Sequence, residues 1–339
     1  MNTPLIFDVR RGSTEDGAGI RTTVFFKGCN LRCRWCHNPE SVDALEEIGF
    51  YSQACIACGD CERACPESAC RLDNPSRIDR AVCARCGACA DACPAKALRR
   101  VGRFYSPEEL IDLLVRDVPF YRASGGGVTL SGGEPTLHME YAGDILRRLK
   151  ERGIHTAIET NGFFPWDLFR DAILPNVDLI MMDVKLADSK KHREYTGESN
   201  AVIMENLRRI AREYPSLLLP RVPLVPGFTA TTENLVAIGS LFRTLGLARY
   251  VLLPYNPTWF HKAAAIGKPI DTGLSARMPS SEESAAWQAR FRADSVSTAS
   301  CAGISQADRT SRKREKGNEK AKPDDTDSEK VHYVQARRA

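Results

Sequence analysis

The sequence predicts an α/β protein built on a mostly parallel sheet, with a small cysteine-rich unit set into its first strand–helix repeat. Three observations carry this. Short β-branched and aromatic runs alternate with amphipathic stretches from about residue 20 to 49 and again from about 101 to 275, the pattern of repeated strand–helix units. Nine of the 13 cysteines fall within residues 50–100. Within that stretch CIACGDCERACP, from Cys55, is repeated as CARCGACADACP, from Cys83, a shift of 28 residues.

Each element has its own signal. RTTVFFKG, ending at Gly28, reads as the first strand. A helix over 106–117 starts with Ser106 as N-cap, Pro107 at N1 and Glu109 at N3. GVTLS (127–131) is a strand, and 138–152 is an amphipathic helix that Gly153 is placed to end. Strand 154–159, a helix near 165–173, strand 177–184, helix 200–213, strand 217–224, helix 231–245 and strand 249–254 follow. The alternation suits a parallel sheet, either open or rolled into a barrel. In both, ligands collect at the C-terminal strand ends, and the chain's motifs stand just after strands.

A length of 339 residues suits about two domains and a core that needs no covalent staples. The expected division is a core over 1–49 and 101–275, an insert over 50–100, a C-terminal helical segment over 276–300 and a tail over 301–339. That tail is polar and charged, so it is expected to be disordered. Its SRKREKGNEK is followed by the acidic PDDTDSE, which reads as a solvated linker. The net charge of 47 − 43 = +4 is too small to predict nucleic-acid binding. No run of 18 apolar residues occurs, so no membrane span is expected. The N-terminus lacks a basic region followed by an apolar core, so a secretory signal is not expected and a cytoplasmic setting is. Crowded cysteines in odd number in such a chain argue for metal ligation over disulfides.

Directly after the first strand comes GCNLRCRWCHNPE, in which Cys29, Cys33 and Cys36 have C-x3-C-x2-C spacing. Three thiolates on one tight loop can hold a cubane [4Fe–4S] cluster by three corners. One iron is then left open, the mark of a catalytic metal site. The competing reading is a zinc knuckle completed by His37. Glycines at 132 and 133 in SGGE allow a backbone to approach a ligand closely, and Glu134 could pair with an ammonium group. Glu159 in ETNG, and Asp183 and Lys185 in MDVK, are strand-end charges that need partners when buried.

With Trp35 before its last cysteine, the loop resembles the signature of the radical S-adenosylmethionine (SAM) superfamily. DGAGIRTTVFFKGCNLRCRWCHNPE, SGGEP, ETNG and MDVK together resemble the glycyl-radical-enzyme activating enzymes, the pyruvate formate-lyase activase family, over about residues 5–270. The resemblance implies a partial (β/α)6 parallel barrel, open at the side. It implies that Cys29, Cys33 and Cys36 hold the catalytic cluster and that the amine and carboxylate of SAM chelate the open iron. Reductive cleavage would yield methionine and a 5′-deoxyadenosyl radical, so no side chain is itself the catalytic group. By the same resemblance Gly132, Gly133 and Glu134 hold the methionine amine, and Trp35 and Asn161 contact the cofactor. Lys185 would meet the SAM carboxylate. Asp183 would orient Lys185 or share a monovalent cation with Glu159. Relatives show Asp-Thr-Asn-Gly where this chain has Glu159, the same charge moved by one methylene. LLPYN (252–256) ends in Asn256 where relatives often carry histidine; an amide can bond a ribose hydroxyl but cannot carry a proton. His261 could substitute, although a surface histidine is the favoured reading.

In the insert, C-x2-C-x2-C-x3-C-P occurs twice, as Cys55, Cys58, Cys61, Cys65 and as Cys83, Cys86, Cys89, Cys93. This is the two-cluster ferredoxin run, with two zinc sites as the alternative. In the ferredoxin arrangement the fourth cysteine crosses over, grouping Cys55, Cys58 and Cys61 with Cys93, and Cys83, Cys86 and Cys89 with Cys65. Three [4Fe–4S] clusters are therefore expected. Cys70 and Cys301 match no ligand position and read as free thiols. Relay of electrons, or a structural or docking role, are both open for the insert. The expected activity is abstraction of a glycine Cα hydrogen from a cognate glycyl-radical enzyme, with a flavodoxin or ferredoxin as electron donor in an anaerobic cytoplasm. The competing functions are a radical SAM enzyme acting directly on a small molecule or RNA, and a non-catalytic electron-transfer protein.

Overall fold

The structure is a computed structural model that describes residues 3–293; the expected tail, Cys301 and the end of the 276–300 segment lie outside the described residues. Ten strands occur among them: β1 (Leu5–Ser13), β2 (Arg21–Phe26), β3 (Glu47–Phe50), β4 (Leu98–Val101), β5 (Arg103–Phe104), β6 (Gly127–Gly132), β7 (His155–Thr160), β8 (Leu179–Asp183), β9 (Leu218–Leu224) and β10 (Val251–Pro254). Eight form one sheet in the order β10-β9-β8-β7-β6-β2-β1-β5. Six neighbours, β2 through β10 in that order, run parallel. β1 and β5 add an antiparallel edge that the sequence pattern did not reveal.

Every residue of β2 is buried, as expected of a strand covered on both faces. The helices Met139–Lys150, Trp166–Ala172, Ala201–Glu213 and Thr232–Thr244 connect successive parallel strands. Ala201–Glu213 buries Ile203, Met204, Leu207 and Ile210, a three-to-four-residue spacing that gives the helix one apolar stripe. These side chains join Val128, Leu130, Ile158, Ile180 and Met182 of the sheet in one core. Where the sequence predicts one helix over 106–117, the chain makes Pro107–Leu114, a 3-10 turn, and a second helix Val118–Ser124. Pro119 lies at the start of that second helix, where its missing N–H costs nothing. A helix over Ser281–Arg292, opened by a Ser280–Glu283 capping box, packs Phe291 against Phe242 of Thr232–Thr244.

The insert is framed by β3 and β4, which pair antiparallel, so the chain leaves and re-enters side by side. The 28-residue repeat is carried into the backbone. Left-handed residues recur as Ala57 and Arg85, Gly59 and Gly87, and Ser68 and Lys96. The short helices Asp60–Arg63 and Ala88–Asp91 recur with the same shift. Cys70 falls at the repeat position of Leu98, and both are fully buried. A thiol there fills apolar space as a small hydrophobe does. Contacts that fasten the insert to the core include Lys27 Nζ with Glu47 at 2.9 Å, Arg85 with Asp43 at 2.9 Å, and Arg80 donating to the Ala265 carbonyl at 3.2 Å.

Leu207 is 0% exposed and Val202, on the same helix, is 42% exposed. Leu207→Ala is expected to lower unfolding free energy by about 2–5 kcal/mol through loss of buried surface and the cavity left behind. Val202→Ala should change it by less than ~0.5 kcal/mol. Denaturant unfolding of the two variants checks this; equal, small losses would show that the helix does not pack as described.

Candidate active site

The C-terminal ends of the parallel strands surround a cavity of about 350 Å³. Cys29, Cys33 and Cys36 line it together with Trp35, and so do Gly132 and Gly133 after β6, Glu159 and Asn161 after β7, Asp183 and Lys185 after β8, and Asn256 after β10. Ligand cavities commonly have about this volume, roughly 300–1,000 Å³. Of the residues assigned to the catalytic cluster and SAM, Glu134 alone does not line it. His261 is exposed and also lies outside the lining.

The cysteine loop is gripped by backbone on two sides. Gly133 N donates to Phe26 O at 2.8 Å and Glu134 N to Gly28 O at 2.8 Å, so the SGGE turn pairs with the strand end that leads into the loop. Opposite, Arg32 N donates to Thr196 O at 2.7 Å and Arg34 N to Tyr195 O at 3.1 Å, both at the end of the helix Ser189–Thr196. The two glycines are required by this close approach. A Cβ on Gly133 would stand 2.1 Å from Gly28 O, and one on Gly132, at φ +101°, would stand 2.4 Å from Phe26 N.

Glu134 differs from expectation. Its carboxylate is 0% exposed. It accepts from Thr136 N at 3.1 Å, Thr136 Oγ1 at 2.7 Å, Thr160 Oγ1 at 2.8 Å and Asn161 N at 2.7 Å. With those four donors in place it braces the ETNG turn and is not presented to an incoming ammonium. Burial pushes its pKa up, and the donors oppose that. Asn161, so held, turns its amide to Asn30 Oδ1 at 2.8 Å and to the Cys29 sulfur at 3.8 Å.

The charged wall centres on Arg221, a residue the sequence reading passed over. Its guanidinium pairs with Glu159 and also with Asp183, at 3.0 Å. Lys185 Nζ pairs with Asp183 at 2.8 Å. Burial opposes the charge on Asp183, but Lys185 and Arg221 outweigh it and hold this carboxyl below the usual range. Burial dominates at Glu159 and raises its pKa despite Arg221. Burial opposes the charge on Lys185, but Asp183 together with the Cys33 and Cys29 sulfurs outweighs it and raises its pKa. The expected monovalent cation does not fit this arrangement, because the guanidinium already bridges the two carboxylates meant to hold it. The clue to Arg221 was a lone charge inside the apolar strand LLLPRVPL, since a buried charge demands partners. Asp16, which accepts from Ser13 Oγ at 2.7 Å and Thr23 Oγ1 at 2.6 Å, and Tyr255 also line the cavity without having been singled out.

The donor sets suit clusters. Burial pushes the Cys29 and Cys33 thiols up to about 12, so loading metal there must displace protons. Among the described residues no three His, Cys, Asp or Glu side chains converge closely enough to hold a single ion. In the insert a second, small cavity is lined by Cys55, Cys58, Cys61 and Cys93, together with Phe50 and Arg77. Cys65 of the first half of the repeat and Cys83, Cys86 and Cys89 of the second do not line it; Cys89 is buried and Cys86 exposed.

Comparison with known proteins gives one family and many close relatives. The profile of the Radical SAM superfamily matches residues 23–237. The isethionate sulfite-lyase activating enzyme of Desulfovibrio desulfuricans is 40% identical over 276 residues, 79% of this chain and 88% of that protein. The benzylsuccinate synthase activating enzyme of Thauera aromatica is 41% identical over 243 residues, 70% of this chain and 73% of its own. The trans-4-hydroxy-L-proline dehydratase activating enzyme of Clostridioides difficile is 37% identical over 299 residues, 87% of this chain and 98% of its own.

Arg221→Met should destabilise the fold by about 3–5 kcal/mol, because it leaves the buried Glu159 carboxylate without its cation, Asp183 keeping Lys185. In that variant the folded-state pKa of Glu159 rises further above its unfolded value, so the folded chain binds more protons than the unfolded one. Stability then falls as pH rises, and the deficit shrinks on acidification. Denaturant unfolding of wild type and variant at about pH 5 and pH 8 tests the sign; a deficit no smaller at the lower pH would contradict this charge arrangement.

Proposed function

Because this chain belongs to the radical SAM superfamily and, within it, to the activating enzymes of glycyl-radical enzymes, we propose that its strand-end cavity binds a [4Fe–4S] cluster and SAM in order to place a radical on a glycine of a partner protein. The observation that carries this is the convergence of three cysteines from one loop with a buried set of charges in a single cavity. When bound, the cluster and SAM supply one-electron cleavage to methionine and a 5′-deoxyadenosyl radical, which takes the Cα hydrogen of the target glycine. Cys29, Cys33 and Cys36 would hold the cluster. Lys185, kept as an ammonium by Asp183, suits the carboxylate of a methionine moiety. The Asn161 amide, aimed at the Cys29 sulfur, fixes one corner of the loop. Trp35, Val225, Leu253 and Tyr255 give the cavity an apolar wall that excludes water.

The reading extends to the insert. Cys55, Cys58, Cys61 and Cys93 would hold one further [4Fe–4S] cluster and Cys83, Cys86, Cys89 and Cys65 another, three in all, in a ferredoxin-type domain over 50–100. The core over 1–49 and 101–275 would be a partial (β/α)6 barrel, which the run of six parallel strands supports. A flavodoxin or ferredoxin would supply electrons, in an anaerobic cytoplasm. Among the described residues no helix is long and apolar enough to cross a membrane. The relatives are named for different partner enzymes, so the partner is defined by its chemistry: a protein whose glycine-bearing loop can leave its own fold and enter the cavity.

Two experiments test this. Cys33→Ala should abolish reductive SAM cleavage, whereas Cys58→Ala should retain part of it when dithionite supplies the electrons. If the two folded variants are equally inactive, the insert does more than deliver electrons. Incubation with SAM, reductant and a candidate glycyl-radical enzyme under strict anaerobiosis should give an EPR doublet on that partner, collapsing when its glycine is deuterated at Cα. Consumption of a small metabolite in step with 5′-deoxyadenosine, with no glycyl radical on any candidate, would replace this reading with direct small-molecule chemistry.

A further inference from the structure

Arg77 is a guanidinium buried inside the insert. It is 9% exposed, yet its Nε has no hydrogen-bond partner. Among the described residues no carboxylate pairs with it; Asp73, close in sequence, is paired with Arg71 at 2.8 Å. Its remaining contacts point one way. Nη2 donates toward the Cys55 sulfur at 3.8 Å, and the guanidinium lies 5.3 Å from the centre of the Phe50 ring. Nη1 donates to Arg71 O at 3.0 Å, which fixes the side chain in this direction. Its backbone is held at φ +61°, a left-handed conformation rare outside glycine, by Arg77 N donating to Asn74 O at 2.8 Å. A buried cation with an orphan donor, facing a cavity lined by Cys55, Cys58, Cys61 and Cys93, is aimed at something negative that belongs there.

We infer that Arg77 sets the reduction potential of the first insert cluster, the one assigned to Cys55, Cys58, Cys61 and Cys93, and makes it unlike the second. The inference rests on the three-cluster reading above. A cluster bound by four thiolates is anionic, and reduction adds one more negative charge. A fixed positive charge and an N–H directed at a ligating sulfur favour that reduced state, so they raise the potential. No arginine stands at the repeat-equivalent position of the second site. The position 28 residues after Arg77 is Tyr105, outside the insert. Arg80, part-buried and also with an unpartnered Nε, lies near Cys83, but its Nη2 donates to the Ala265 carbonyl at 3.2 Å and, among the described residues, no hydrogen bond joins it to a cysteine sulfur. Arg77 acts through the ligands and is a positioning residue.

The experiment is potentiometric titration followed by EPR on anaerobically reconstituted wild type, Arg77→Met and Arg77→Lys, with iron and sulfide measured on each. Wild type should hold about twelve irons per chain, four for each of three clusters. In Arg77→Met one midpoint should move to more negative potential while the other two stay. Arg77→Lys keeps the charge but loses the fork, so its shift should be smaller. Unchanged midpoints in Arg77→Met at full iron content would overturn the tuning role. So would loss of about four irons in both variants, which would make Arg77 structural. A wild-type content near four irons would instead remove the insert clusters themselves, and the inference with them.

Discussion

The site depends on one buried carboxylate. Glu134 gathers donors from its own turn and from the turn after β7, while its backbone N–H holds the start of the cysteine loop. Three strand ends are thereby locked together by direct hydrogen bonds. A carboxylate accepts such donors strongly because it is ionised, and its burial makes any unfilled position costly. The cysteine loop has no regular secondary structure of its own, so its shape is borrowed from these neighbours. The paired glycines serve the same end, allowing main chain to lie against main chain where any side chain would intrude.

Around this brace the charges form a graded set. Lys185 faces Asp183, Asp183 also faces Arg221, and Arg221 reaches Glu159, which Ser131 contacts from β6. Such buried ion sets contribute little net stability compared with well-packed apolar groups. Their value here is orientation: an ammonium held by a single carboxylate can turn to an arriving anion without leaving its partner.

Much of the fold was legible in the sequence, for identifiable reasons. The six parallel strands are short apolar runs separated by amphipathic helices, so periodicity marks them. β1 escaped because LIFDVRRGS is buried at one end and exposed at the other, as an edge-side strand is. The helix Ser189–Thr196 escaped because its sequence, SKKHREYT, has almost no apolar stripe. At the site, spacing located the cysteine loop and the strand-end motifs, and of the residues assigned to the catalytic cluster and SAM all but Glu134 line the cavity. What spacing could not show was which group each residue faces. Gly133 was read as making room for a ligand, and the nearest obstruction is Gly28 O. Glu134 was read as facing an ammonium, and it faces hydroxyls and amides. Arg221 stood in a strand whose neighbours drew attention to apolar packing, though its charge was the stronger signal.

The antiparallel pairing of β3 with β4 has a consequence for how the chain finds its fold. β2 and β6 are neighbours in the sheet, yet residues 27–126 separate them. Pairing Glu47 with Val101 takes the insert out of that span and leaves less than half of it as open chain. Each halving of a loop lowers its closure entropy by roughly 0.6 kcal/mol, and non-local strand pairing is the slow part of such folds. A unit that looks like an interruption of the sheet therefore also shortens the open chain between the two strands it separates.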